Sequence, residues 1–570
     1  MCLTSECSLN FQNTYFYANT LCGTINYITI LQNIHYMHLT VQGELLIIND
    51  ADKTEMKQLY SLATASVPNF IKNRTSKRNG SDWSGQICML IDGAYLPLGL
   101  WNDIYKLRNA KFPYQVKIDG LLETFDTTIK DDEVQQWCES LDTEFQPHED
   151  QFKFIVKLLK AKKCTLTGAT SMGKTFMTYL TLRYLRDHKK LKAKSKALMI
   201  VPSILLTDQA FSDIESYQLD TYDPNFEHCN ANYKVYKIHS QAWNKYKLED
   251  CDLIVGTYQS LINMPKDWFA IFDAVMCDEC HKAEAKSIIQ LMCNCKSASY
   301  KFGLSGSIDD TDKLLMLTIQ SYIGAHLGKF TLREAIDKNI VSDVYIKRLL
   351  IKHSEQVDHD YAQYLNEHPQ LFDIDNAGQL IHAETHHCMQ CEQANNVIAS
   401  IICRLDMNAL VLVKRRGHVE TLSNAMQQYC QSHGIDKVIH SITGGTPLHE
   451  RHAMIDQMRK EPTRHIMVAT IQTLSTGVSV KEWFYAAFVN LGKSNNTLLQ
   501  SIGRMIRKHP LKQKAMIIDI CQQLWIDTQF KNVPDSYRYR NYDIRHAQER
   551  VKQYKNQQLE FDSKPTVIAI

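Results

Sequence analysis

Short apolar runs separated by amphipathic stretches dominate the middle of the chain. Between residues 146 and 345, strands are expected at 163–167, 197–201, 252–256, 273–277 and 300–304, with helix-like segments between them. Runs this short and this continuously apolar suit strands buried on both faces, as in a parallel sheet covered by helices. A second alternating block occupies an expected domain at 394–535, with strands near 409–413, 437–442, 465–469, 486–490 and 515–519. Two α/β blocks of similar size predict a cleft between them. Ahead of them, 37–135 reads as a small α/β domain, with strand-like runs at 39–48, 86–92 and 114–119 and helix-like stretches at 53–64 and 100–109. Residues 346–393 read as a polar connector with weak helix signals, and 536–570 as a tail that starts basic and aromatic. Residues 1–36 carry no clear period, so a natural start at Met37 is expected, with 1–36 a poorly ordered extension.

Composition adds limits. A chain of 570 residues holds about three to four domains of ~150 residues. An apolar share of 44% permits large cores, and a net charge of +2 neither requires nor excludes a nucleic-acid partner, since a groove needs only local charge. The 17 cysteines show no disulfide framework. No secretory leader is visible, and no run approaches the ~18 apolar residues of a membrane span. A reducing, cytoplasmic setting is expected. His386-His387-Cys388-Met389-Gln390-Cys391 has a metal-like spacing but lacks a second ligand pair nearby. It reads either as a metal site or as a polar loop leading into a helix at 394–405.

The first chemistry-bearing segment is Gly168-Ala169-Thr170-Ser171-Met172-Gly173-Lys174-Thr175. It fits G-x-x-x-x-G-K-[ST], follows a predicted strand and opens a predicted helix, the context of a phosphate-binding loop. Glycines let backbone N–H groups close around phosphate oxygens, and the helix N-terminus adds positive potential. Lys174 is expected to reach the β- and γ-phosphates, and the Thr175 hydroxyl to hold Mg²⁺. The bland alternative is a glycine turn opening an ordinary helix.

Downstream, the strand Ala274-Val275-Met276-Cys277 runs into Asp278-Glu279-Cys280-His281. After a phosphate loop, Asp278 is suited to bind Mg²⁺ through water, and Glu279 to polarise the water that attacks the γ-phosphate. His281 is placed to couple nucleotide state to a neighbouring motif. In the second block, Gln500, Arg504 and Arg507 are spaced to share one helical face. Two guanidiniums across a cleft stabilise charge on a transferring phosphoryl group. The alternatives are an acidic helix start and a basic solvated helix.

As an ordered set these features resemble superfamily 2 helicases. Residues 168–175 match motif I, 278–281 match a DEAH-like motif II, and 500–507 match motif VI. Gln151 resembles the glutamine that reads adenine. Ser305 and Ser307 sit where coupling motif III is expected, and Thr257, Thr476 and Gly477 where strand-gripping turns are expected. Ser84-Gly85-Gln86, Leu96-Pro97-Leu98-Gly99-Leu100 and Ile502-Gly503-Arg504-Met505-Ile506-Arg507-Lys508-His509 look like the UvsW-type helicases of tailed bacteriophages. The resemblance implies two tandem RecA-like parallel-sheet domains behind a small N-terminal α/β domain. It also implies an ATP- and Mg²⁺-dependent enzyme that acts on DNA, with branched DNA and RNA–DNA hybrids as substrates; a monomer is expected. Lys72, Arg74, Lys77 and Arg78 form a basic loop that reads equally as a phosphate-contacting finger or a solvated surface loop. A duplex translocase and a non-catalytic nucleic-acid clamp are the competing readings.

Overall fold

The computed structural model describes residues 36–67, 85–107, 115–141, 143, 145–169, 172–218, 233–238, 251–282, 286–306, 308–373, 377–474, 481–524, 530–534 and 541–570. All of the expected N-terminal extension but Tyr36, the basic loop at 72–78 and the 475–480 turn fall outside these residues.

The N-terminal unit is a four-stranded sheet with the order β5-β2-β1-β6. Its strands are β1 (Tyr36–Gln42), β2 (Leu45–Asp50), β5 (Tyr95–Pro97) and β6 (Gln115–Asp119), and a separate ribbon pairs β3 (Thr64–Ser66) with β4 (Gln86–Cys88). The single run expected at 39–48 is in fact a hairpin. Gly43, at φ 63°, turns the chain so that Val41 pairs with Leu46, a backbone conformation that costs glycine little. This unit is clamped to the next. A Cβ on Gly99 would lie 2.0 Å from the Gln320 carbonyl oxygen, so only glycine permits the approach. Glu44 accepts from Lys163 at 2.6 Å and from Lys301 at 2.7 Å, and these charges hold its carboxyl below the usual range despite burial.

The second unit is a seven-stranded parallel sheet: β7 (Lys163–Gly168), β8 (Lys196–Val201), β9 (Val235–Ile238), β10 (Leu253–Thr257), β11 (Phe272–Asp278), β12 (Tyr300–Ser305) and β13 (Ala325–Phe330). The order is β13-β7-β12-β11-β8-β10-β9. The five strands expected here are present. The edge strands β9 and β13 escaped the pattern because one face of each stays partly exposed and their sequences are mixed.

The third unit contains β14 (Asp343–Lys352), β15 (Ala409–Val413), β16 (Val438–Ile442), β17 (His465–Thr470), β18 (Tyr485–Val489), β19 (Lys514–Gln523), β20 (Glu560–Phe561) and β21 (Thr566–Ala569). The order is β16-β17-β15-β18-β19-β14-β20, with β21 also on β14. Three sequence expectations are corrected here. The boundary at 345/346 cuts through β14, which pairs with β19 over ten residues, so this unit begins near 343. The connector contains the helices Glu355–Glu367 and Ala377–Gln390, whose Tyr361, Leu365, Leu380 and Cys388 pack with Leu524 and Val533. The tail is no tail, since helix Tyr542–Asn556 and strands β20 and β21 complete the domain. Its anchor is Arg550, fully buried, which donates to Asp519 at 2.8 Å. The fold is therefore two tandem RecA-like parallel-sheet domains behind a small N-terminal α/β domain.

Candidate active site

The C-terminal ends of three adjacent strands, β7, β12 and β11, build the centre of the site. In register, Ser305 lies beside Thr167 and Asp278 beside Leu304, so the phosphate loop, Ser305 and the carboxylate pair line one edge. Open parallel sheets place ligands at this edge. β7 ends at Gly168, and helix Lys174–Asp187 starts directly after Gly173. Gly173 adopts φ 76°, and a Cβ there would approach Gln151 Nε2 to 2.5 Å. The loop needs a glycine at this point for both reasons. Thr170 and Ser171 lie outside the described residues.

Gln151 is buried and both ends of its amide are used. Nε2 donates to the Met172 carbonyl at 2.7 Å, and Oε1 accepts from His148 N–H at 3.0 Å in a capping box. The side chain therefore braces the phosphate loop.

β11 ends in Asp278, and Glu279 follows at φ 51°, rare for a residue with a side chain. This turn lets Glu279 N–H donate to Asp278 Oδ1 at 3.0 Å. It also brings Glu279 Oε2 within 3.3 Å of the Ser305 hydroxyl, 3.1 Å of His281 Nδ1 and 3.5 Å of Gly306 N–H. His281 Nδ1 and Ser305 Oγ are bonded at 2.8 Å. Burial and the adjacent Glu279 charge push the Asp278 carboxyl up to about 6, against the pull of Lys174. Burial also opposes charge on Glu279, but Lys174 and His281 outweigh it and hold that carboxyl well below the usual range. Two neighbouring carboxylates with this imbalance form an electron-rich site that a divalent cation would balance. Ser307 lies outside the described residues.

Gln500 and Arg504 lie one turn apart on helix Asn495–Met505. Arg507 falls two residues beyond the helix end, so the expected single helical face holds for the first two only. Both arginines nevertheless face the second unit. Burial and Arg507 pull the Arg504 guanidinium down to about 10, while the Glu279 charge acts the other way. Burial lowers Arg507 as well, and it is countered by Asp213 and Tyr217. Arg507 Nε is buried without a hydrogen-bond partner among the described residues.

The sequence reading missed Lys512. Its ammonium donates to the carbonyls of Lys481 at 2.7 Å, Met505 at 2.9 Å and Arg507 at 3.0 Å, tying down the backbone that carries the arginines. One lysine among several, with Lys508 and Lys514 close by, offered no signal. The reading also passed over Lys414-Arg415-Arg416, a basic triplet directly after β15 whose position was a usable signal. These residues line a cavity of about 860 Å³ together with Thr470, at the end of β17, and Thr473 just beyond it. Arg451, also on its wall, is committed to the carbonyls of Thr443, Gly444 and Thr446.

Thr257 is buried, and its hydroxyl serves a local cap, accepting from Ser260 N–H at 3.2 Å. Thr476 and Gly477 lie outside the described residues, as do Lys72, Arg74, Lys77 and Arg78. The His386–Cys391 segment is the end of helix Ala377–Gln390 rather than a loop. Among the described residues no group of three or more His, Cys, Asp or Glu side chains is placed to hold a metal ion. None of the described helices is long and apolar enough to cross a membrane.

Residues 132–310 match the family described as Type III restriction enzyme, res subunit. The chain is 26% identical over 490 residues to the ATP-dependent DNA helicase uvsW of Enterobacteria phage T4, covering 84% of this chain and 90% of that protein. The crystal structure of T4 UvsW aligns at 21% identity over 94% of this chain and 100% of that one, with a TM-score of 0.43. The ATP-dependent Type ISP restriction-modification enzyme LlaBIII, bound to DNA, reaches a TM-score of 0.51 at 15% identity, over 82% of this chain and 34% of that one. That last likeness is one of fold. The motif resemblance to UvsW-type superfamily 2 helicases agrees with the sequence match.

Proposed function

We propose that this chain, an ATP-driven enzyme of the superfamily 2 helicase type, separates or branch-migrates the strands of branched DNA and RNA–DNA hybrids in recombination, repair and replication. The observation that carries the reading is that the charge of Glu279, in the second unit, acts on the Arg504 guanidinium of the third, beside the bonded group Glu279, His281 and Ser305. Neither half alone holds the parts for phosphoryl transfer.

The phosphate loop from Gly168 to Thr175 takes the ATP phosphates, with Lys174 on the β- and γ-phosphates and Gln151 beside the adenine. Thr175 and Asp278 would hold Mg²⁺, which when bound neutralises phosphate charge. Glu279, kept ionised by Lys174 and His281, accepts a proton from the attacking water. Gln500, Arg504 and Arg507 face the γ-phosphate and stabilise the charge that spreads over it. The bonds of Ser305 and His281 to Glu279 tie the state of the cleft to the segment after β12, Ser307 included. Strand phosphates follow Lys414–Arg416, with the turns at Thr257 and at Thr476-Gly477 gripping the same strand. Lys72, Arg74, Lys77 and Arg78 engage duplex arms. The chain acts as a monomer.

Lys174→Ala is expected to abolish DNA-stimulated ATP hydrolysis while leaving DNA binding largely intact; unchanged hydrolysis would overturn the site assignment. For the substrate, ATPase and strand displacement are measured side by side on single strand, duplex, fork, four-way junction and R-loop. Displacement on forks and hybrids is the expected result.

A second reading has its own support. The match of residues 132–310 to the restriction-enzyme res subunit family favours a translocase that moves along duplex without opening it. Stimulation by plain duplex, without displacement on any substrate, would select it.

A further inference from the structure

The cavity bordered by Lys414–Arg416 does not end at its basic wall. Its lining includes His382 and His386 on helix Ala377–Gln390, and the same two residues line a second cavity of about 890 Å³. That cavity lies between this helix and helix Glu355–Glu367, in the stretch expected to be a polar connector with weak helix signals.

Its wall is aromatic. Tyr361 stacks on His387 at 4.6 Å between ring centroids and on Tyr364 at 6.4 Å, and Tyr364 meets His368 at 4.4 Å. Tyr364 is 41% exposed, a large ring left at the surface. The ionised group on this wall is Asp360, a carboxylate, which repels phosphates and leaves this half to uncharged ring faces. Cations at one end and an exposed ring, backed by buried Tyr361, at the other form the pattern that binds a single strand. Phosphates take the cations, and bases stack on the aromatics without regard to sequence.

We propose that the helical pair 355–390 extends the strand path, with Tyr364 stacking bases of a single-stranded nucleic acid whose phosphates sit on Lys414, Arg415 and Arg416. The proposal rests on the reading of the basic cavity as the strand path.

The test uses the full chain and fluorescence anisotropy with labelled oligothymidylates of increasing length. Tyr364→Ala and Tyr364→Leu are expected to weaken binding of the longer oligomers by about fivefold or more, and Tyr364→Phe to retain it. The salt dependence should be unchanged in Tyr364→Ala but shallower by about one phosphate contact in Arg415→Ala. ATP hydrolysis without nucleic acid should be unchanged in the three Tyr364 variants. Normal affinity in Tyr364→Ala and Tyr364→Leu, with a loss in Arg415→Ala, overturns the stacking site alone. Normal affinity in Arg415→Ala as well overturns the strand path beneath it.

Discussion

Gln151 Nε2 donates to the Met172 carbonyl at 2.7 Å, from a side chain buried against the phosphate loop. A residue whose resemblance implies base reading is thus also a brace. Loop bracing acts on the phosphates and is blind to the base. Gln151→Ala is therefore expected to lower kcat/KM for ATP and GTP alike, by about tenfold for one buried hydrogen bond. Any further loss seen with ATP alone measures the adenine contact. A loss confined to ATP would refute the brace.

Ser305 joins Glu279 and His281 through one hydroxyl, at 3.3 and 2.8 Å. Lys174 and His281 still hold Glu279 ionised when that hydroxyl is gone. Ser305→Ala should keep ATP turnover within about threefold while strand displacement falls by about tenfold or more, as expected for one lost bond to a charged group. Both rates measured on one forked substrate check this, and parallel losses would count against coupling.

Burial pushes the Lys512 ammonium down to about 8, helped by Arg507 and opposed by Glu482. Between about pH 8 and the ordinary lysine value of 10.5, the unfolded chain holds a proton that the folded chain has lost. Stability from this group therefore rises with pH across that window. Denaturant midpoints from pH 7.5 to 10 should rise less steeply in Lys512→Met than in the parent chain. Equal slopes would place the proton elsewhere.

Arg550 and Asp519 form a fully buried pair, joined by the Tyr554 hydroxyl, which donates to Asp519 at 2.9 Å. Removing one member strands the other charge. Arg550→Met is expected to cost about 3–5 kcal/mol, measured by urea unfolding. The Arg550→Met/Asp519→Leu double variant should recover much of it. A single variant of near-normal stability would show that the C-terminal helix docks without the pair.

The five inner strands of the second unit, the strands β15 to β19 of the third, and the order of Gly168–Thr175, Asp278-Glu279 and Gln500–Arg507, were legible along the chain. Buried parallel strands must be continuously apolar, and phosphate chemistry demands particular residues at fixed local spacing. What escaped the pattern depends on partners distant in sequence. β14 belongs to the third unit because it pairs with β19, some 170 residues on. Residues 542–569 belong to the third unit because Arg550 finds Asp519 and β21 finds β14. Lys512 gains meaning only where three carbonyls converge on it. Hydrophobic period and motif spacing are local properties, so they set which elements form and which chemistry is available. Long-range pairing sets where a domain begins, which charge is buried, and that the charge of Glu279 acts on Arg504 from another unit.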